Sequence, residues 1–199
     1  MNDVLSPRER YQQDLASGVL LPDPAQAWVV DELDDLCNRL AQGMLREEKM
    51  WAKALGFLGR NVVPERGLYL WGGVGRGKTH MMDAFFASLP FERKLRVHFH
   101  RFMQRVHAAL TAHSGSKNPL ERVAEEIANE AAVLCFDEFF VSDIGDAMIL
   151  AALIDALFAR GVTMVATSNI PPSDLYKDGL QRSRFLPAIA LLEKHLKVA

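Results

Sequence analysis

Residues 67–79 read GLYLWGGVGRGKT and join an apolar run to a glycine-rich turn that ends in Lys78 and Thr79. The turn fits G-x-x-x-x-G-K-[ST], the pattern of a phosphate-binding loop, in which glycines let backbone N–H groups face an anion. The apolar run before the turn predicts a strand, and the apolar residues 81–86 after it predict a helix. Such a loop requires this context, so the stretch predicts a nucleotide site in an α/β fold.

We predict that nucleotide is bound by nine consecutive residues of this loop and the following helix. Lys78 is expected to reach the β- and γ-phosphates, and the Thr79 hydroxyl to hold Mg²⁺. ATP is favoured over GTP because the sequence has no N-K-x-D guanine-reading motif. The nine residues are Gly72, Gly73, Val74, Gly75, Arg76, Gly77, Lys78, Thr79 and His80.

A second apolar run, residues 133–136, ends in the adjacent acids Asp137 and Glu138. Asp137 suits a water-mediated contact to Mg²⁺, and Glu138 is then placed to orient or deprotonate an attacking water. An ordinary strand end with exposed acids is the alternative. Because the acids follow a phosphate-binding loop, we favour hydrolysis of a nucleoside triphosphate over phosphoryl transfer to a small molecule.

A third apolar strand, predicted at residues 162–166, is followed by Thr167, Ser168 and Asn169. If this strand lies between the strands that carry the two earlier motifs, Asn169 faces the γ-phosphate and positions water. Asparagine before Ile-Pro-Pro also suits an ordinary turn. The role of Asn169 as a sensor of the γ-phosphate therefore depends on the order of the strands.

Strands alternate with helices from residue 63 onward, which indicates a mostly parallel sheet covered by helices on both faces. Before that point the sequence predicts helices. Asp23 and Pro24 form a helix start, and apolar residues then recur at spacings of three and four. We therefore divide the chain into a helical N-terminal segment, residues 1–62, and a P-loop core, residues 63–199.

The composition excludes several classes of protein. The 199 residues include 23 Lys and Arg and 25 Asp and Glu, and 49% are hydrophobic, as in globular proteins. Two cysteines, Cys37 and Cys135, are too few for a disulfide scaffold. No apolar run is long enough for a membrane span, and the N-terminus lacks the apolar core of a signal peptide. We expect a cytoplasmic protein.

One basic stretch, residues 93–107, contains no acid in sequence. It can contact nucleic acid or an acidic partner, although a solvated strand edge and helix face is the reading that we favour. We do not interpret His98 and His100 as a metal site, because no cysteine or acid accompanies them. The basic residues are Arg93, Lys94, Arg96, Arg101 and Arg105, with His98, His100 and His107.

Five strings resemble the AAA+ ATPase family of the bacterial cell division protein ZapE and its mitochondrial relatives. The similarity runs from about Tyr11 to the C-terminus, and DEFFVSDI is its most specific part. The resemblance implies Walker A at residues 72–79, Walker B at Asp137 and Glu138, and sensor 1 at Asn169. The strings are GLYLWGGVGRGKT, VHFHRFM, LCFDEFFVSDIGDAMIL, VATSN and GLQRSRFLPAI.

The resemblance also implies an arginine finger and a set of protein partners. Arg182 and Arg184 fall in the region of the family's finger, which reaches the nucleotide of a neighbouring subunit. We favour Arg184, because Ser-Arg-Phe is similar to fingers in related ATPases; a solvated surface arginine is the alternative. We expect a homo-oligomer, and the resemblance implies ATP-dependent action at the division septum on the tubulin-like protein FtsZ.

The sequence departs from an AAA+ module in one respect. Such a module normally continues into a helical lid with a sensor 2 arginine, whereas this sequence ends at Ala199 after a predicted helix. A last core strand beyond the finger region is not recognisable either. We therefore expect a core without a C-terminal lid, either truncated or naturally short with impaired turnover.

Two other functions stay open at this point. One is a helicase-loader-like AAA+ ATPase that binds DNA through residues 93–105. The other is a nucleotide-gated adaptor that binds ATP and hydrolyses little of it.

Overall fold

A computed structural model describes the backbone of residues 4–53 and 63–199, and the side chains of residues 4–44 and 63–199. The helices within these ranges are α1 (Pro7–Ala16), α2 (Pro24–Lys53), α3 (Lys78–Ser88), α4 (Phe99–Ala112), α5 (Pro119–Glu130), α6 (Ile144–Ala159) and α7 (Leu186–His195). The strands are β1 (Gly67–Trp71), β2 (Lys94–His98), β3 (Val133–Asp137), β4 (Thr163–Ser168) and β5 (Leu196–Val198). Two short 3₁₀-helices cover Pro172–Asp174 and Arg182–Arg184.

The five strands form one parallel sheet in the order β2-β3-β4-β1-β5. Every residue of β3 and β4 is buried, as expected for apolar strands covered on both faces. The predicted alternation of strands and helices is therefore confirmed. Strand β4 lies between β3 and β1, which is the order that the role predicted for Asn169 requires.

Strand β5 shows that one expectation was wrong, because the sheet does have a strand beyond the finger region. Leu196 pairs with Gly67, and the Ala199 N–H donates to the Tyr69 carbonyl at 2.9 Å. Trp71 N–H in turn donates to the Ala199 carbonyl at 3.0 Å. The strand has only three residues, and Lys197 interrupts its apolar character, so no strand pattern is visible in the sequence.

The first of two compact units contains α1, α2 and α3, which pack on one another. Helix α1 begins with a capping box, in which the Ser6 hydroxyl accepts from the Glu9 N–H and the Glu9 carboxylate accepts from the Ser6 N–H. Helix α2 begins at Pro24 as predicted, and Asp23 Oδ1 accepts from the Ala25 N–H at 2.8 Å. The predicted apolar stripe of α2 is buried: Val29, Val30, Leu33, Leu36, Cys37 and Leu40.

The second unit contains the sheet and helices α4 to α7. Four phenylalanines form an aromatic cluster in its core, with ring centroids 4.2 Å apart for Phe99 and Phe139 and 4.7 Å apart for Phe102 and Phe136. Phe136 and Phe139 flank the two acids of the second motif. The cluster therefore fixes the chain on both sides of those acids.

Candidate nucleotide site

The phosphate-binding loop begins where β1 ends. Gly72 N–H donates to the Ser168 carbonyl at 3.2 Å, which connects the start of the loop to the end of β4. Gly75 and Gly77 have φ values of 80° and 78°, a left-handed conformation in which a side chain would be strained. Gly72 has a φ of 146°, which side chains also rarely adopt, so three glycines of the motif suit the shape of the loop backbone.

Helix α3 begins at Lys78 with Gly77 as its N-cap, so Lys78, Thr79 and His80 form its first turn. The amides of a first turn have no acceptor within the helix, and the helix dipole favours an anion there. The chain thus passes from strand β1 through a glycine-rich turn into helix α3, the order of elements that the sequence predicts.

Two side chains of the first unit approach this turn. His80 Nε2 lies 2.8 Å from Asp14 Oδ2 on α1, so the imidazole of His80 contacts α1. The Gln26 amide lies beside Gly77, because a Cβ placed on Gly77 would be 3.1 Å from Gln26 Nε2. The sequence gives no signal for the contact of His80 with Asp14, which joins helices separated by more than 60 residues.

Asp137, the last residue of β3, is only 4% exposed, and both of its carboxylate oxygens are hydrogen-bonded. Oδ1 accepts from the Thr167 hydroxyl at 3.1 Å, and Oδ2 accepts from Arg96 Nη2 at 2.7 Å. A buried carboxylate is stable only with such partners. Asp137 is thus held rigidly between β2 and β4.

Glu138 differs from its neighbour in exposure and in backbone conformation. Its side chain is 79% exposed, and its φ of 53° is uncommon for a residue other than glycine. The Glu138 N–H donates to the Thr167 hydroxyl at 3.2 Å, and Oε2 lies 3.9 Å from His98 Nδ1. The two adjacent acids therefore have separate surroundings, one buried and one open to solvent.

The end of β4 is fixed by bonds on both sides of Asn169. The buried Ser168 hydroxyl donates to the Phe139 carbonyl at 2.8 Å, and the Tyr69 hydroxyl donates to the Ile170 carbonyl at 3.1 Å. Burial raises the pKa of Tyr69 to about 12, so the phenol stays protonated and can donate. Asn169 itself is exposed at the carboxyl edge of the sheet.

Within the second unit, the candidate residues on β1, β3 and β4 therefore meet at the carboxyl edge. Ligands of open parallel sheets bind outside this edge. Sequence reasoning missed Arg96, Thr167 and Tyr69 as neighbours of the motif residues. The polar run Thr167-Ser168 at the end of an apolar strand was the one signal that could have found Thr167.

The two candidate finger residues lie in the 3₁₀-helix Arg182–Arg184 and differ in their contacts. Arg182 Nη2 donates to the Ser173 carbonyl at 2.6 Å, which holds its guanidinium against its own chain. Arg184 is exposed, and its side chain has no hydrogen bond or ion pair with the residues that the structure describes. Of the two, Arg184 is the more exposed.

The basic stretch of residues 93–107 has acidic partners from elsewhere in the chain. Arg105 pairs with Glu130 and lowers the pKa of that carboxyl, and His107 Nε2 lies 2.7 Å from Asp146 Oδ1. Arg96 is bound to Asp137. The stretch is thus acid-free in sequence but partly neutralised in space, which weakens the case for DNA binding.

The side chains described for this chain include no group of three or more His, Cys, Asp or Glu residues that could hold a metal ion. No helix in residues 4–53 or 63–199 is both long and apolar enough to cross a membrane.

Some known proteins are similar to this chain in sequence, and others are similar to it in fold. The cell division protein ZapE of Escherichia coli (strain K12) is 50% identical over 204 residues, which cover 98% of this chain and 54% of that protein. Lactation elevated protein 1 homolog B of Danio rerio is 45% identical over 146 residues, 68% of this chain and 29% of that protein. The chain thus spans about half the length of the E. coli relative and less than a third of the length of the Danio rerio relative.

A solved structure of AMPPCP-bound DnaA from Aquifex aeolicus aligns with 90% of this chain and 48% of its own, at 15% identity and a TM-score of 0.58. At that identity the likeness concerns the fold alone, and it confirms the predicted P-loop AAA+ sheet. A family model described as AFG1-like ATPase matches residues 5–199. Because this match covers nearly the whole sequence, the chain belongs to the AFG1-like ATPase family.

Proposed function

We propose that the protein binds ATP and hydrolyses it to ADP and phosphate with Mg²⁺. The observation that carries the proposal is the pair of acids at the end of β3, in which Asp137 is buried and bonded while Glu138 is exposed. This division suits one acid for a metal and the other for water. Membership of an ATPase family supports the same activity.

The residues of the loop supply the groups that ATP and Mg²⁺ need. Lys78 neutralises phosphate charge, and the amides of residues 72–80 bind phosphate oxygens. Mg²⁺ usually keeps several waters and is held by one or two protein oxygens together with phosphates. A Thr79 hydroxyl would bind it directly and the Asp137 carboxylate, whose oxygens are hydrogen-bonded to Thr167 and Arg96, would hold it through a water. Bound Mg²⁺ would offset the negative charge on the phosphates during phosphoryl transfer.

Two exposed residues are assigned to the attacking water. Glu138 accepts a proton from the water, whose oxygen forms a bond to the γ-phosphorus while the bond to the β–γ bridging oxygen breaks. Asn169 aligns the water from the neighbouring strand. Their positions at the carboxyl ends of β3 and β4 support these roles.

We further propose that Arg184 completes the site of a neighbouring copy in a homo-oligomer. Its exposure and its lack of side-chain partners among the described residues support this role. Arg182 is the weaker candidate, because it is bound to Ser173. A finger of this kind is worth ~10³–10⁵ in rate in other phosphate-loop enzymes.

The proposed cellular role follows from the E. coli relative, which is a cell division protein with 50% identity over 98% of this chain. We propose that this protein also acts in division, in the cytoplasm at the septum, on FtsZ or another protein of that machinery. Binding of DNA is not favoured, because acids neutralise part of the basic stretch.

The test is phosphate release from ATP by the full-length protein, with Mg²⁺ and with EDTA, alongside a nucleotide-binding titration. We expect Mg²⁺-dependent turnover in the wild type, and loss of both binding and turnover in Lys78→Ala. Lys117→Ala, at an exposed lysine outside the loop, is the matched control and should behave as wild type. Binding without turnover in the wild type would favour the adaptor, and absence of ATP binding would contradict the proposal.

A further inference from the structure

We propose that Thr167 is a positioning residue that sets the geometry of both Walker B acids. The inference rests on the proposed ATPase function and adds to it a residue that no motif assigns. Thr167 lies in β4, is 2% exposed, and forms hydrogen bonds to three consecutive residues, 137–139.

The polar groups of Thr167 are divided among these partners without conflict. The hydroxyl has one proton, which it donates to Asp137 Oδ1 at 3.1 Å. A lone pair of the same oxygen accepts the Glu138 N–H at 3.2 Å. The Thr167 carbonyl accepts the Phe139 N–H at 2.7 Å. One hydroxyl group therefore connects the side chain of the buried acid to the backbone of the exposed acid.

The backbone of Glu138 explains why such a connection is needed. Its φ of 53° is one that side-chain-bearing residues adopt rarely, and such conformations persist when the surrounding structure holds them. The two bonds to Thr167, from Glu138 N–H and Phe139 N–H, hold the turn on either side of the strained residue. The turn directs the Glu138 side chain to solvent while Asp137 stays in the core.

The proposal requires the hydroxyl rather than the shape of the side chain. Valine has the shape of threonine and suits a buried strand, but it would leave Asp137 Oδ1 and the Glu138 N–H without this partner. Serine keeps the hydroxyl. We expect Thr167→Val to lower kcat at least tenfold with KM changed less than threefold, and Thr167→Ser to stay within about threefold of wild type in both.

Thr163 provides a matched control at the other end of the same strand. It is 1% exposed, and its hydroxyl accepts the Glu65 N–H at 3.1 Å, so Thr163→Val also removes a buried hydroxyl and one of its bonds. It does not touch the Walker B acids. Thr163→Val should lower the melting temperature as Thr167→Val does and leave kcat within about twofold of wild type.

The experiment measures kcat, KM and, in nucleotide-free protein, the exchange rate of the Glu138 amide by NMR. Thr167→Val should speed this exchange at least tenfold relative to neighbouring amides of β3, and neither Thr167→Ser nor Thr163→Val should do so. If Thr167→Val does not fold, Thr167→Cys takes its place, since a thiol is only a weak donor.

Several results would overturn the proposal. Wild-type kcat and amide exchange in Thr167→Val would do so, as would equal losses of kcat in Thr167→Val and Thr163→Val. The exchange measurement needs no ATP, so it separates the two claims. If the wild type hydrolyses no ATP, the proposed function fails, while unchanged exchange in Thr167→Val overturns the role of Thr167.

Discussion

Single residues at the carboxyl edge of the sheet lie in different surroundings, which suit them to the different roles proposed for them. Asp137 and Glu138 are neighbours in sequence, yet one is buried against Arg96 and Thr167 and the other is exposed. Chemistry that needs a fixed metal ligand and an accessible base can use this pair. The separation arises from the left-handed backbone at Glu138.

Tyr69 offers a test at the scale of one hydrogen bond. Its hydroxyl donates to the Ile170 carbonyl, next to Asn169, so Tyr69→Phe should loosen the chain that carries the proposed sensor. We expect a loss of about 1 kcal/mol in the free energy of unfolding and a clear decrease in kcat, measured by urea unfolding and phosphate release.

Tyr176→Phe is the matched control, because the buried Tyr176 donates to the Leu180 carbonyl at 3.0 Å in a different loop. Tyr176→Phe should lower the free energy of unfolding by a similar amount. Equal kcat values in the two variants would refute a role for Tyr69 in holding Asn169.

The motif residues could be predicted from sequence because each motif is a local pattern of residue types. Asp137, Glu138 and Asn169 each follow or end an apolar run, and the observed strand order is the one on which the predicted role of Asn169 depends. Their partners could not be predicted in the same way. Arg96 contacts Asp137, and Tyr69 contacts Ile170, only through strand order and register, which local patterns do not determine.

At the scale of elements, α6 and α7 contain a stacked pair whose stability should depend on pH. His195, at the end of α7, stacks on Phe158 of α6 with ring centroids 4.1 Å apart. Burial, with a smaller contribution from Lys194, lowers the pKa of His195 below its ordinary value of 6.5, and Asp155 opposes the shift. The folded protein therefore prefers the neutral imidazole.

The sign of the pH effect follows from this preference. Below about pH 6.5, His195 in the unfolded chain takes up a proton, whereas His195 in the folded protein resists protonation. The contribution of His195 to the free energy of unfolding is therefore complete above that pH, and it decreases as the pH falls toward the pKa of the folded state. Urea unfolding at pH 7.5 and at pH 5.5 should show a smaller difference in free energy for His195→Gln than for wild type. If the free energy of unfolding changes between the two pH values by the same amount in His195→Gln as in wild type, His195 is not the source of the pH dependence.

Elements were predictable where the pattern extended over a full helix or strand. The start of α2 at Pro24 and the buried strand β3 follow from capping residues and an apolar run. Strand β5 could not be recognised, because three residues with a lysine in the middle do not make a pattern. It is held by pairing with β1, a contact across more than 120 residues of sequence.

At the scale of the whole molecule, one of the three places where the chain passes between the two compact units lies between Arg76 and Gly77, within the phosphate-binding loop. The division of the chain at residue 62 stays a prediction. The chain spans 54% of the length of its E. coli relative, so the cellular role proposed from that relative needs its own test on this protein.

The central claim is that Glu138 serves as the base for ATP hydrolysis at the carboxyl edge of the sheet. The most direct measurement compares ATP affinity and steady-state turnover of wild type, Glu138→Gln and the control Glu125→Gln, an exposed residue of α5. We predict that Glu138→Gln keeps ATP affinity within about threefold while its turnover falls at least tenfold, with Glu125→Gln unchanged. Turnover of Glu138→Gln equal to that of wild type would contradict the account.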